Sequence, residues 1–171
     1  MESKLQDIID LVGQYIDEKR SKESWSPGDW VKYSGPSYDA EEYQRAIESL
    51  LSEWLVFGKN AAEFEILFPR YLGKRQGVLT NSGSSANLLM VSCLKSVNKT
   101  PDKYRLKDGD KVITPVVCFP TTINPIIQNN LVPVFVDVDM PSLNINLDAV
   151  EEVLANDTNR EIKAIMFAHV L

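Results

Sequence analysis

The stretch GVLTNSGSSANLLMVSCL, residues 77–94, decides the reading of the fold. It opens on a short β-favouring run, predicted as a strand over residues 76–80, and passes into the small polar residues Asn81, Ser82, Gly83, Ser84 and Ser85, which suit a turn. Ala86, Leu89, Met90, Cys93, Leu94 and Val97 then recur at helical spacing. This order predicts a helix N-terminus at the carboxyl end of a strand. The free N–H groups and the positive dipole end of such a terminus bind phosphate. Gly83 would let the backbone approach the anion, and serine hydroxyls would add donors. The blander alternative is that Ser84 or Ser85 merely caps the helix, as serines often do. The turn has neither the Lys-Ser/Thr pair of a P-loop nor G-x-G-x-x-G spacing, so a phosphate here would belong to another kind of cofactor.

Downstream, β-rich runs at residues 111–114, 132–136 and 163–168 alternate with apolar-periodic segments at 84–97, 121–129 and 147–155. Alternation of this kind predicts an α/β fold, a mainly parallel sheet with helices on both faces. Ligands of such sheets bind at the carboxyl ends of the strands. The run VITPVVCFPTTINPIIQNN, residues 112–130, carries Phe119 just past a strand end, followed by Pro120 and two threonines that suit a helix start. An aromatic ring there could stack on a flat heterocycle, or could simply be a core phenylalanine.

Upstream, Leu5, Ile8, Ile9, Val12 and Ile16 predict an amphipathic helix over residues 3–19. Residues 21–37, with Pro27, Gly28, Gly35 and Pro36 around Trp25 and Trp30, read as an ordered loop. Asp39 with Glu42 has the form of a capping box, before a helix running to Trp54. Asn60 with Glu63 repeats the pattern before Phe64, Leu67, Phe68 and Tyr71, and Gly73 ends that helix. The expected division is a helical segment, residues 1–58, ahead of an α/β domain, residues 59–171.

With 44% hydrophobic and 25% charged residues in 171, the composition is that of a globular chain. A net charge of −6 supplies no overall field for nucleic acid or anionic membrane. The apolar run at residues 131–136, broken by Pro133, falls far short of the ~20 residues a spanning helix needs. The first residues lack the apolar block of a signal peptide, and a cytoplasmic location is the expectation. Cys93 and Cys118 sit in apolar runs and are expected to be small buried hydrophobes. His169 is the single histidine and has no companions at ligand spacing, so no metal site is expected.

Four segments, SEWLVFGKNAAEFE, LTNSGSSANLL, DKVITPVVCFPTTINPIIQNNLVPVFVDVD and KAIMFAHVL, in this order and spacing, resemble the fold-type I pyridoxal-phosphate enzymes that act on 4-keto-6-deoxy nucleotide sugars. That family comprises aminotransferases and 3-dehydratases. The resemblance covers residues 31–171. The strings TNSGSSANLL and FPTTINPIIQN, with the extra N-terminal helix, most resemble the CDP-4-keto-6-deoxyglucose 3-dehydrase branch.

The resemblance implies the N-terminal part of a fold-type I large domain preceded by helices. It further implies pyridoxal or pyridoxamine 5'-phosphate as cofactor, with Gly83, Ser84 and Ser85 on its phosphate and Phe119 against its ring. A homodimer and a role in deoxysugar and surface-polysaccharide synthesis are implied too. It places His169 at a strand end where the family often shows a histidine, and gives Asp137 and Asp139 no cofactor role. The residue that separates the two activities, histidine for dehydration or lysine for amine transfer, would fall beyond Leu171, as would the acidic partner of the pyridine nitrogen. No catalytic residue is therefore expected within this chain, which is expected to be incomplete. Two alternatives stand beside this reading: a non-catalytic remnant serving as a binding module, and an unrelated Rossmann-type nucleotide binder, the latter disfavoured by the missing glycine fingerprint.

Overall fold

The computed structural model describes residues 2–31 and 34–169, which form two compact units, one up to Gly77 and one from Val78 onward. The first unit is helical. Its α1 (Glu2–Ser21) and α2 (Ala40–Leu51) pack closely where Gly13 faces Gln44: a Cβ on Gly13 would stand 2.5 Å from Gln44 Nε2. Gln44 Nε2 in turn donates to the Ile9 carbonyl at 2.9 Å. The predicted capping box is present, with Asp39 N donating to Glu42 Oε2 at 2.8 Å and Glu41 N to Asp39 Oδ1 at 3.1 Å. The helix stops at Leu51 rather than Trp54, because the chain turns at Ser52 and enters the left-handed region at Glu53, φ 58°.

The third helix, α3 (Lys59–Tyr71), is capped by the backbone of Gly58 and not by Asn60, which already lies inside the helix. It ends before Gly73, φ +68°, as the glycine predicts. Contacts group α3 with the first unit, whereas the sequence division at 58/59 put it in the second. The segment after the helix doubles back on it, bringing Gly77 against Pro69. In the 21–37 loop, Ser26 N donates to Asp29 Oδ2 at 2.7 Å, so a turn orders it locally. Trp25 and Trp30 are both exposed and do not anchor it, and Lys32 and Tyr33 lie outside the described residues.

The second unit is α/β. Its elements run α4 (Gly83–Lys95), β1 (Lys111–Pro115), α5 (Pro120–Gln128), β2 (Val132–Val136), α6 (Leu147–Asn156) and β3 (Ile162–Ile165). All strand pairs are parallel, in the order β2-β1-β3, so β1 is central. A central parallel strand is covered on both faces and reads as a mainly apolar run, which is why KVIT, residues 111–114, reads as a strand in the sequence; the observed strand adds Pro115. On one face Val112 packs with Val91 of α4 and Ile126 of α5. On the other, Ile113 packs with Val136 and with Val150 of α6. The predicted arrangement of helices on both faces is therefore present.

Three local expectations are corrected. No strand forms over residues 76–80 among the described residues. The last strand spans Ile162–Ile165 rather than 163–168. It begins where the Asp157 carboxylate accepts the amides of Glu161 and Ile162, each at 2.9 Å, and these bonds hold that carboxyl below the usual range. Cys93 is exposed and Cys118 only partly buried; the buried stripe of α4 falls on Val91 instead.

Candidate functional site

The decisive turn is capped one step earlier than Ser84 or Ser85. Ser82 takes an extended conformation and its Oγ accepts the Ser85 amide at 3.2 Å, while its carbonyl accepts the Ala86 amide at 3.0 Å. Thr80 Oγ1 donates to the same carbonyl at 2.9 Å and fixes the approach to the turn. Of the first amides of α4, those of Gly83 and Ser84 meet no acceptor among the described residues. Ser85 Oγ accepts from Ser82 Oγ at 3.2 Å, which leaves its own proton free to donate. A Cβ on Gly83 would meet nothing within 4 Å, and its φ lies outside the left-handed region. Neither packing nor backbone conformation requires glycine here. The position opens onto free space large enough for a group to approach the backbone.

The next helix lies alongside in the same direction. Near the amino ends Asn87 Nδ2 donates to the Thr121 carbonyl at 3.1 Å; near the carboxyl ends Ser92 Oγ donates to Asn129 Oδ1 at 3.1 Å. Lys95 Nζ donates both to the Asn129 carbonyl at the end of α5 and to Asp108, and holds the Asp108 carboxyl below the usual range. Two parallel helices side by side place like dipole ends together. At the carboxyl ends the Lys95 ammonium compensates the accumulated negative charge. At the amino ends neither α4 nor α5 has an acidic residue in its first turn, in contrast to α2 and α6. The paired positive ends therefore have no acidic side chain in either first turn to offset them.

Phe119 is the N-cap residue of α5, two residues before the Thr121 tie, and its side chain is 72% exposed. The ring stands in solvent beside the amino ends of α4 and α5. Cys118, the residue before Phe119, is partly buried, and burial pushes its thiol pKa up. Strand alternation places Thr114 on the face of β1 shared with Val112, toward α4 and α5. Its Oγ1 is fully buried with no hydrogen-bond partner among the described residues. His169 follows the end of β3, next to β1, exposed and edge-on to Phe167 with ring centroids 4.9 Å apart.

The sequence-predicted residues Gly83, Ser84, Ser85 and Phe119 are thus brought to one end of the second unit. Sequence reasoning missed Ser82 as the cap and Asn87 as the tie. The signal for the second was the proline at 125, discussed below. Among the described residues no three His, Cys, Asp or Glu side chains form a metal-sized cluster, and no helix is long and apolar enough to cross a membrane.

The fold defines the class: an α/β domain of the fold-type I architecture, with two helix amino ends side by side at the carboxyl edge of a parallel sheet. Residues 36–171 match the DegT/DnrJ/EryC1/StrS aminotransferase family, and the chain belongs to that family. It is 41% identical over 165 residues to the lipopolysaccharide biosynthesis protein RfbH of Salmonella typhimurium, covering 96% of this chain and 36% of that protein. It is 40% identical over 164 residues to the dTDP-4-dehydro-2,6-dideoxy-D-glucose 3-dehydratase of Saccharopolyspora spinosa, covering 96% and 34%. Among solved structures, the E. coli GDP-4-keto-6-deoxy-D-mannose-3-dehydratase with bound hydrated PLP superposes with a TM-score of 0.64 at 34% identity, over 76% of this chain and 33% of that one. The chain spans about a third of the length of these relatives.

Proposed function

We propose that the protein carrying this chain is a pyridoxamine- or pyridoxal-phosphate enzyme that removes the C3 hydroxyl of a nucleotide-linked 4-keto-6-deoxy sugar. The observation that carries the cofactor part is the joint geometry at the second unit's edge. Two open amides at Gly83 and Ser84, a neighbouring helix end without acidic residues, and an exposed ring at Phe119 offer one anion site and one flat platform. These residues fit a phosphorylated pyridine. The Gly83 and Ser84 amides would hold its phosphate, with the Ser84 hydroxyl as a further donor, and Phe119 would lie on its ring and exclude water from that side. When bound, the group supplies an electron sink next to the sugar carbonyl, and the protein supplies orientation and proton transfer.

Likeness to two proteins named as 3-dehydratases favours dehydration. The likeness to RfbH supports a role in deoxysugar supply for surface polysaccharide. Amine transfer to C4 is the second reading, favoured by the aminotransferase family to which the chain belongs. A homodimer in the cytoplasm is the proposed working state.

The test is to purify the protein, load it with pyridoxamine phosphate and supply CDP-, dTDP- and GDP-4-keto-6-deoxyhexoses separately. Dehydration predicts a product lacking the C3 oxygen. A 4-amino sugar formed at the expense of an amino acid donor would establish the second reading instead. Absence of any spectral change in added cofactor would overturn both.

A further inference from the structure

Pro125 lies inside α5 and is among the most completely buried residues of the protein. In an α-helix the N–H of residue 125 would bond to the carbonyl of residue 121, but proline has no N–H. The Thr121 carbonyl therefore loses its helical donor. A part-buried carbonyl without a partner is costly, and the structure supplies a replacement from outside the helix, Asn87 Nδ2 at 3.1 Å. Asn87 stands one turn past Gly83 on α4. Thr121 stands two residues past Phe119 on α5. The bond thus joins the helix that presents the open amides to the helix whose cap is the exposed ring.

We propose that Asn87 is a positioning residue: its amide, matched to the carbonyl vacated by Pro125, sets the separation between the Gly83–Ser84 amides and the Phe119 ring. This rests on the cofactor reading of the site. A ligand with its phosphate on one helix and its ring on the other needs both helices in fixed relation, because an error of a fraction of an ångström at either contact weakens both. The apolar contact of Val91 and Ile126 with Val112 holds the two helices against the sheet. Ser92 and Lys95 already tie α4 to Asn129 at the carboxyl ends, and Asn87 supplies the matching directional tie at the amino ends, where the open amides and the ring stand.

The proline makes the proposal testable by a double-mutant cycle. Pro125→Ala restores an N–H that can reach the Thr121 carbonyl within the helix, and should make Asn87 dispensable. Four forms of the protein are compared: wild type, Asn87→Leu, Pro125→Ala and the double variant. In cofactor-free protein, hydrogen exchange is followed at the amides of residues 122–124. With pyridoxamine phosphate, both the affinity and the circular dichroism induced per bound cofactor at saturation are measured; the latter reports ring orientation and does not respond to a mere loss of folded protein.

Asn87→Leu should speed exchange in α5, weaken pyridoxamine phosphate binding by about tenfold, about 1.4 kcal/mol of lost positioning, and alter the induced signal. In the Pro125→Ala background the same change should weaken binding by less than about twofold, because the helix then satisfies its own carbonyl. Equal effects in both backgrounds would overturn the proposal, as would an unchanged affinity and signal in Asn87→Leu. If wild-type protein bound no pyridoxamine phosphate, the cofactor reading would fall by itself, and this positioning role with it. The exchange cycle would then report only whether Asn87 secures the amino end of α5.

Discussion

Ser82 Oγ accepts the Ser85 amide at 3.2 Å, so α4 is capped by the residue before the glycine of the turn rather than by either serine after it. This relationship sorts the turn into a structural part, Ser82 with Ser85, and an open part, Gly83 with Ser84. It also means that the two parts respond differently to substitution.

Ser82→Ala removes the cap. Loss of a serine N-cap costs about 1 kcal/mol, so the cofactor-free protein should melt several degrees lower. Circular dichroism melts of wild type and variant check this, and an unchanged Tm would mean that the cap is not made in solution.

Gly83→Ala separates binding from stability. The added methyl enters open space, and alanine is the better helix former, so the cofactor-free Tm should hold or rise slightly. Cofactor affinity should fall by about tenfold or more if an anion approaches this amide, since displacing a charge-assisted hydrogen bond costs about 1.5–3 kcal/mol. Titration of cofactor absorbance, set beside the melting curve, reads both quantities.

Phe119→Ala should change the cofactor-free stability by less than about 0.5 kcal/mol, because the ring already stands in solvent. Loss of its contact with a bound ring should cost about 1.5–3 kcal/mol of affinity, visible as faster cofactor release on dilution. A large fall in Tm with unaltered release would return Phe119 to a packing role.

Asp157 governs an acid-side dependence. Its carboxyl is held low by the Ile162 and Glu161 amides it accepts at the start of β3. A folded-state pKa below the unfolded one contributes stability that is present above the unfolded value, about 3.9, and is lost as pH falls through the depressed value. Asp108, held low by Lys95, acts in the same direction. Tm should therefore decline as pH drops below about 4. Asp157→Asn should be less stable at neutral pH and show a shallower decline. Melts from pH 7 to pH 3 measure both, and parallel curves would remove Asp157 from the account.

The capping box at Asp39 and Glu42, the stop at Gly73, the strand at residues 132–136 and the helix after the Gly83 turn were all legible in the sequence. Each rests on interactions within a few residues or on a burial pattern written into the chain: a side chain reaching its own helix end, or apolar residues at a fixed period. Phe119 was legible as a residue past a strand end. Whether it was platform or core was not, because exposure depends on what other elements cover.

Residues 76–80 have strand composition, yet no strand forms over them among the described residues, since pairing requires a second segment that composition does not name. Ser82 and Ser85 are equally good caps by type, and the choice fell to the residue at which the backbone leaves helical geometry. The bond from Asn87 to Thr121 joins residues 34 positions apart and exists only because α4 and α5 run parallel on one face of the sheet. By itself the sequence determined the local periods, the helix ends and the glycine-serine turn, all governed by short-range sterics and hydrogen bonding. Only the tertiary structure decided that two helix ends would meet, with like dipoles together and a proline-vacated carbonyl satisfied from the neighbouring helix, because those interactions arise when distant segments pack.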